Sequence, residues 1–171
     1  MKSADLLADA FGRIQETVHE SVDGMPLDAL HARPDKGANS IAWLIWHLTR
    51  IQDDHVAGVA GTEQLWTTGG WADRFGLPFA PYDTGYGHRP KDVAALRVAS
   101  GELLTGYHDA VYEHTLGYLR TLRETDFPRV VDTSWDPPVT LAVRLVSVVS
   151  DDLLHAGQAA FLRGCVERGA L

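Results

Sequence analysis

Apolar residues return at helical spacing in four long segments of this chain and at strand spacing in none. Leu6, Phe11, Ile14 and Val18 recur at helical intervals between Ser3 and about Val22, with Ser3 as N-cap and Asp23-Gly24 as the stop. Ile41, Leu44, Ile45, Leu48 and Ile51 form one broad face of a second helix that runs to about Val59. Asn39 or Ser40 caps it, and Gly58 and Gly61 mark its end. Pro90 suits the first position of a third helical stretch carrying Val93, Leu96 and Val98. Ser100 and Gly101 bend or restart that stretch, and Leu103, Leu104, Tyr107, Val111, Leu116 and Leu119 carry it to Leu122. Thr140 caps the last helix, Leu141 to about Val166. No alternating run persists, and no Asn-Gly-type hairpin signal lies between two such runs.

Two connections stand out. Residues 62–90 are rich in Gly, Pro and aromatics, including Trp66, Trp71, Phe75, Phe79, Tyr82 and Tyr86. A connection this long is expected to be functional or to fold into short helical turns of its own. The second runs from Phe127 to Pro138. The expected fold is therefore all-α: one four-helix bundle over residues 1–171, with one or two long connections. The core of such a bundle can host a metal between facing helices.

Charge narrows the partners. Lys+Arg 15 against Asp+Glu 23 gives a formal charge of -8, which disfavours nucleic acid and anionic membrane alike. Cys165 is the only cysteine, so neither an internal disulfide framework nor a multi-cysteine zinc ribbon can form. The start of the chain shows no targeting segment, since Asp9 interrupts any apolar stretch there. The apolar run from Ile41 to Trp46 is too short to span a bilayer. A cytoplasmic protein is the expectation, and a homodimer is an option the sequence leaves open.

Chemistry concentrates in two places. On the last helix, Asp151 and His155 lie four apart and share a face, so a carboxylate and an imidazole can converge on one ion. Asp152 and His155 form an i, i+3 pair that bundle metal sites also use. On the second helix, His47 sits within the apolar run Ile41-Ala42-Trp43-Leu44-Ile45-Trp46-His47-Leu48. A buried imidazole there must be metal-bound or satisfied by a partner such as Asp151, because a stranded ring nitrogen costs about 1–3 kcal/mol. His19, His31, His55, His88, His108 and His114 have no ligand-type partner at a convincing spacing and read as surface or satisfied groups. His88 and Arg89, in the long connection, are candidates to approach an anionic substrate.

The run from Ile41 to Leu48 resembles the second-helix signature of the DinB-like metal-binding bundle superfamily. His155-Ala156-Gly157-Gln158 resembles its last-helix signature. Ser100-Gly101-Glu102-Leu103-Leu104 and Trp135-Asp136-Pro137-Pro138-Val139-Thr140 are similar to an actinobacterial branch that includes mycothiol S-transferases. Mycothiol-dependent maleylpyruvate isomerases carry a related domain. The resemblance implies three ligands to a divalent metal: His47, Asp151 and His155. Many members have histidine at the position of Asp151, and isomerase-type members have glutamate. Aspartate has the shorter reach, so Asp152 is kept as the alternative carboxylate.

Two neutral imidazoles and one carboxylate leave the ion a net positive charge and an open position, as in catalytic rather than structural sites. Such ligands accept zinc, nickel, iron or manganese, with zinc the first expectation. The resemblance implies thiol transfer: mycothiol or a related low-molecular-weight thiol, deprotonated at the metal, attacks a small electrophile. No side chain beyond the metal centre is expected to be catalytic, and Cys165 reads as a small packing residue. A related hydrolase or isomerase, and a non-catalytic metal-binding protein of stress response, are the alternatives. Gln158, Arg50, Trp43 and Trp135 are the substrate-binding candidates.

Overall fold

Ser40 and Thr140 turn two apolar segments into the helices that frame the molecule. The Ser40 hydroxyl accepts the backbone N–H of Trp43 at 3.2 Å, and the Thr140 hydroxyl accepts that of Val143 at 3.3 Å. Each satisfies one of the donors a helix start leaves open. The computed structural model describes residues 2–171. Its long helices are α1 (Ser3–Val22), α3 (Ile41–Ala60), α7 (Gly101–Thr121) and α8 (Leu141–Glu167). α3 packs between α7 and α8, and α1 closes the bundle on the same two helices. The core is continuous: Phe11, Ile14, Val18, Ile41, Leu44, Ile45, Tyr107, Val111, Leu141, Leu145 and Ala159 are all buried in it. This is the expected all-α four-helix bundle.

The connections hold short elements. α2 (Leu27–His31) precedes α3, while α4 (Leu65–Thr68) and α5 (Trp71–Phe75) fill the long segment after it. α6 (Pro90–Ala95) has Pro90 at its start, as its fixed φ favours. The helix does not run on through Val98. There the backbone N–H of Val98 donates to His31 Nε2 at 3.1 Å, and α7 restarts at Gly101. A Cβ on Gly101 would stand 3.0 Å from Val22 Cγ1, so glycine lets α7 begin flush against α1. Ser3 is the first residue of α1 rather than its cap; the flanking residue is Lys2, and Ser3 instead bonds Glu124 through its N–H at 2.8 Å.

One element runs against the sequence expectation. After a 3-10 turn at Glu124–Asp126, β1 (Val130–Asp132) and β2 (Val139–Thr140) form a short antiparallel hairpin that leads straight into α8. Strands of three and two residues are too short to show alternation, and a bulge between Val130 and Asp132 blurs it further. Asp132 is tied to α8 by Arg144, whose Nη2 donates to Oδ2 at 2.7 Å. No helix among the described residues is long and apolar enough to cross a membrane.

Candidate metal centre

The buried stripe of α8 runs through Leu141, Leu145, Val148, Asp152, Ala156 and Ala159. That stripe sets the rotation of the helix. Successive residues of a helix point about 100° apart, so with Asp152 facing the core, Asp151 and His155 stand at the edge of the stripe. There they meet His47 of α3. One ligand atom from each of His47, Asp151 and His155 lies within 4.8 Å of the other two. The imidazoles of His47 and His155 meet edge to face with centroids 4.9 Å apart, and Asp151 Oδ1 is 3.7 Å from His155 Nε2.

The donor set fits a cation. Asp151 Oδ2 and His155 Nδ1 are buried without a hydrogen-bond partner among the described residues, a costly state unless something else binds them. An ion about 2.1 Å from each ligand draws its ligands to roughly 3–3.5 Å of one another. The trio needs only a modest closing of three side chains to reach that spacing. His47 is also electrically ready. Burial pushes its pKa down, favouring the neutral imidazole that a metal requires.

The orientation of His47 comes from a part of the chain far away in sequence. The carbonyl of Thr84 can only accept, so His47 donates to it through Nδ1–H at 2.5 Å, which leaves Nε2 free for an ion. A tight turn presents that carbonyl: Gly85 N–H donates to Asp83 Oδ1 at 2.8 Å, and Gly85 sits at φ +88°. A Cβ at Gly85 would stand 2.9 Å from His47 Nδ1 and 2.9 Å from the Trp46 ring, so the close approach demands glycine. Trp43 Nε1–H donates to His88 Nδ1 at 3.1 Å, and His88 in turn donates through Nε2–H to Asp83 Oδ2 at 3.1 Å. The loop is thus pinned to the helix that bears the ligand.

The remaining expected site residues scatter. Trp43 is at the centre, stacked on His47 at 4.6 Å and edge-on to His155 at 6.2 Å. Asp152 does not join the close cluster; it is fully buried in the core, with neither oxygen partnered among the described residues, and burial raises its pKa well above the usual carboxylate range. Arg50, taken from the sequence as a substrate contact, points inward instead. It is fully buried, donates through Nη1 to Gln64 at 2.8 Å and Tyr107 at 3.2 Å, and donates through Nε to the Asp83 carbonyl at 3.2 Å. It therefore braces the loop that holds His47. His88 braces the same loop and is largely buried, not poised toward an anionic substrate. Trp135 lies exposed in the hairpin connection, and Gln158 is exposed one turn beyond His155. Sequence reasoning missed Thr84, Asp83 and Gly85. A backbone carbonyl carries no residue signature, and Asp-Thr-Gly reads as an ordinary turn.

Two cavities flank the triad along α8. One, of about 580 Å3, is mainly apolar and is lined by Leu44, Leu154, Gly157, Gln158, Phe161 and Leu162 with the turn before α3. The other, of about 510 Å3, lies between α3, the hairpin and the start of α8, and carries Asp54, His55, Arg129, Asp132 and Arg144.

Comparison with known proteins places the fold. The profile of the DinB superfamily matches residues 10–159. A conserved protein from Enterococcus faecalis, known from its crystal structure, superposes with a TM-score of 0.90 at 31% identity, covering 95% of this chain and 96% of that one. Comparison with curated proteins finds no match. From the bundle topology, the two-histidine, one-carboxylate cluster and the extent of the profile match, the chain belongs to the DinB superfamily.

Proposed function

We propose that this chain is a divalent-metal-dependent thiol S-transferase that joins mycothiol or a related low-molecular-weight thiol to small electrophiles. The observation that carries the proposal is the meeting of His47, Asp151 and His155 with two of their polar atoms buried and unpartnered. These three residues would hold the metal, zinc being the first expectation. When bound, the metal supplies a site at which a thiol loses its proton and is held as the nucleophilic thiolate.

The chain's own residues do the rest. Thr84 keeps His47 in one tautomer, and Trp43 covers one flank of both imidazoles. Asp151 and His155 are only half-buried, which leaves approach open from the α8 side. The apolar cavity beside Leu154 and Phe161 suits a small hydrophobic electrophile. No protein nucleophile is required, and Cys165 lies ten residues past His155, more than two helical turns away.

The test loads the protein with Zn2+, Ni2+, Fe2+ or Mn2+ in turn and supplies mycothiol, glutathione or no thiol together with a fluorogenic bimane electrophile. Metal-dependent and thiol-dependent conjugation, lost in His47→Ala and His155→Ala, is the expected result. Turnover without thiol would point to hydrolysis at the same centre. A tightly held ion with no turnover would point to a non-catalytic role.

A further inference from the structure

The cavity between α3, the hairpin and α8 has a chemistry the triad does not use. Arg129 donates only through Nη2, to the Val59 carbonyl and the Tyr118 hydroxyl, both at 3.2 Å. Arg144 likewise donates only through Nη2, to Asp132. Nε and Nη1 of both guanidiniums therefore have no protein partner among the described residues. The acidic groups of the cavity are engaged in part, Asp54 through Oδ1 alone. Asp132 accepts from Ser134 N–H at 2.9 Å and Ser134 O–H at 2.6 Å as well as from Arg144, and Asp54 accepts from Gln64 at 2.6 Å. The two guanidiniums thus keep unspent donors, in a planar fork that matches a carboxylate. The floor, Gly58 and Val59, is small, and nothing lies within 4 Å of a Cβ built on Gly58.

Position links this cavity to the metal centre. Arg144 and Asp151 are seven residues apart on α8, two turns on one face and about 10 Å along the axis. His47 and His55 are spaced similarly on α3. A ligand seated on the guanidiniums can reach the triad only if its acid group and its reacting atom are on the order of 10 Å apart.

We propose that Arg144 and Arg129 form a carboxylate-binding subsite for the thiol cosubstrate, which selects a peptide-sized thiol bearing an acid group over cysteine, which is too short, and over neutral thiols. The inference rests on the thiol-transfer reading and narrows it to acid-bearing thiols, against mycothiol, which has no carboxylate, with the apolar cavity on the opposite side of the triad left to the electrophile.

The experiment separates the two. Isothermal titration calorimetry on the metal-free full chain uses S-methylglutathione, whose blocked sulfur cannot bind as a thiolate. Wild type is expected to bind it, and Arg144→Gln and Arg129→Gln each to weaken binding about tenfold or more, the loss expected for a hydrogen bond between charged groups. Arg144→Lys is expected to recover part of the loss. Two variants on different elements guard against a local folding defect, since only Arg144 is tied to Asp132. Absence of binding, or equal affinity in wild type and both variants, would overturn the subsite. A second titration compares glutathione with S-methylglutathione on zinc-loaded protein. Tighter binding of the free thiol is expected; equal affinities with the arginine effect intact would leave the subsite standing and remove the thiol from the metal. Tighter binding of mycothiol than of glutathione would overturn the preference for an acid group.

Discussion

His108 provides a quantitative check on the packing of the bundle, away from the candidate metal ligands. It lies on α7, fully buried against α3. The Thr49 hydroxyl donates to the Ile45 carbonyl at 2.7 Å, so its oxygen accepts from His108 Nδ1–H at 3.2 Å. His108 Nε2 is then a bare lone pair, buried and without a partner among the described residues. A proton added there would place an unpaired charge in the core, and burial pushes the pKa of His108 down to about 4. The unfolded chain binds that proton near pH 6.5. A depressed histidine therefore contributes stability that is intact above pH 6.5 and lost as the pH falls toward 4. Linkage between those two values gives a loss of about 2 kcal/mol at pH 5, approaching about 3 kcal/mol below pH 4.

The assay is urea unfolding of metal-free protein at pH 7.5 and pH 5, for wild type and His108→Leu, followed by tryptophan fluorescence. Other histidines contribute to the pH dependence of both proteins, so the difference between their pH dependences isolates His108. The substitution leaves the Thr49 hydroxyl bonded to the Ile45 carbonyl, so no new donor is stranded. The variant is expected to lose about 2 kcal/mol less than wild type between the two pH values. An unchanged pH dependence would show that His108 is protonated, or reaches a partner, in the folded protein.

Metal binding read by elemental analysis after dialysis should vanish in His47→Ala and His155→Ala and weaken in Asp151→Ala, while Asp152→Ala retains the ion; the reverse order for the two aspartates would relocate the carboxylate ligand. Gly85→Ala forces a side chain onto φ +88° and into His47, so metal affinity measured by competition with a chelator should drop about 10–100-fold, as when a group orienting a ligand is lost. Unchanged affinity would mean that the Thr84 carbonyl does not govern His47. Asp152→Asn removes the ionisable group and should stabilise the metal-free protein at pH 7 by about 1.4 kcal/mol for each unit by which burial raises the folded pKa. Because burial raises the Asp152 pKa, wild type loses stability as the pH rises above about 4, where the unfolded carboxyl ionises. The gain should therefore shrink at pH 4, and a gain that grew on acidification would contradict the assignment.

Much of this molecule was legible in the order of its residues. Helical spacing, Ser40 and Thr140 as caps, the burial of His47 within an apolar run and the shared face of Asp151 and His155 are local properties, set within a turn or two of chain. The two-stranded hairpin was not legible, because strands of three and two residues carry no period. Which aspartate joins the two histidines was not local either. Asp151 and Asp152 are chemically the same and differ only in direction by a fraction of a turn, and that direction is set by how the whole apolar stripe from Leu141 to Ala159 seats against α1 and α3. The same holds for Arg50, which a sequence shows as a charge near a candidate ligand and the fold turns inward to brace the Asp83 carbonyl. Most of all, the tautomer of His47 depends on the carbonyl of Thr84, 37 residues away. Side-chain type is written in the sequence, whereas a backbone oxygen is common to every residue, and only the folded chain decides which one arrives beside an imidazole.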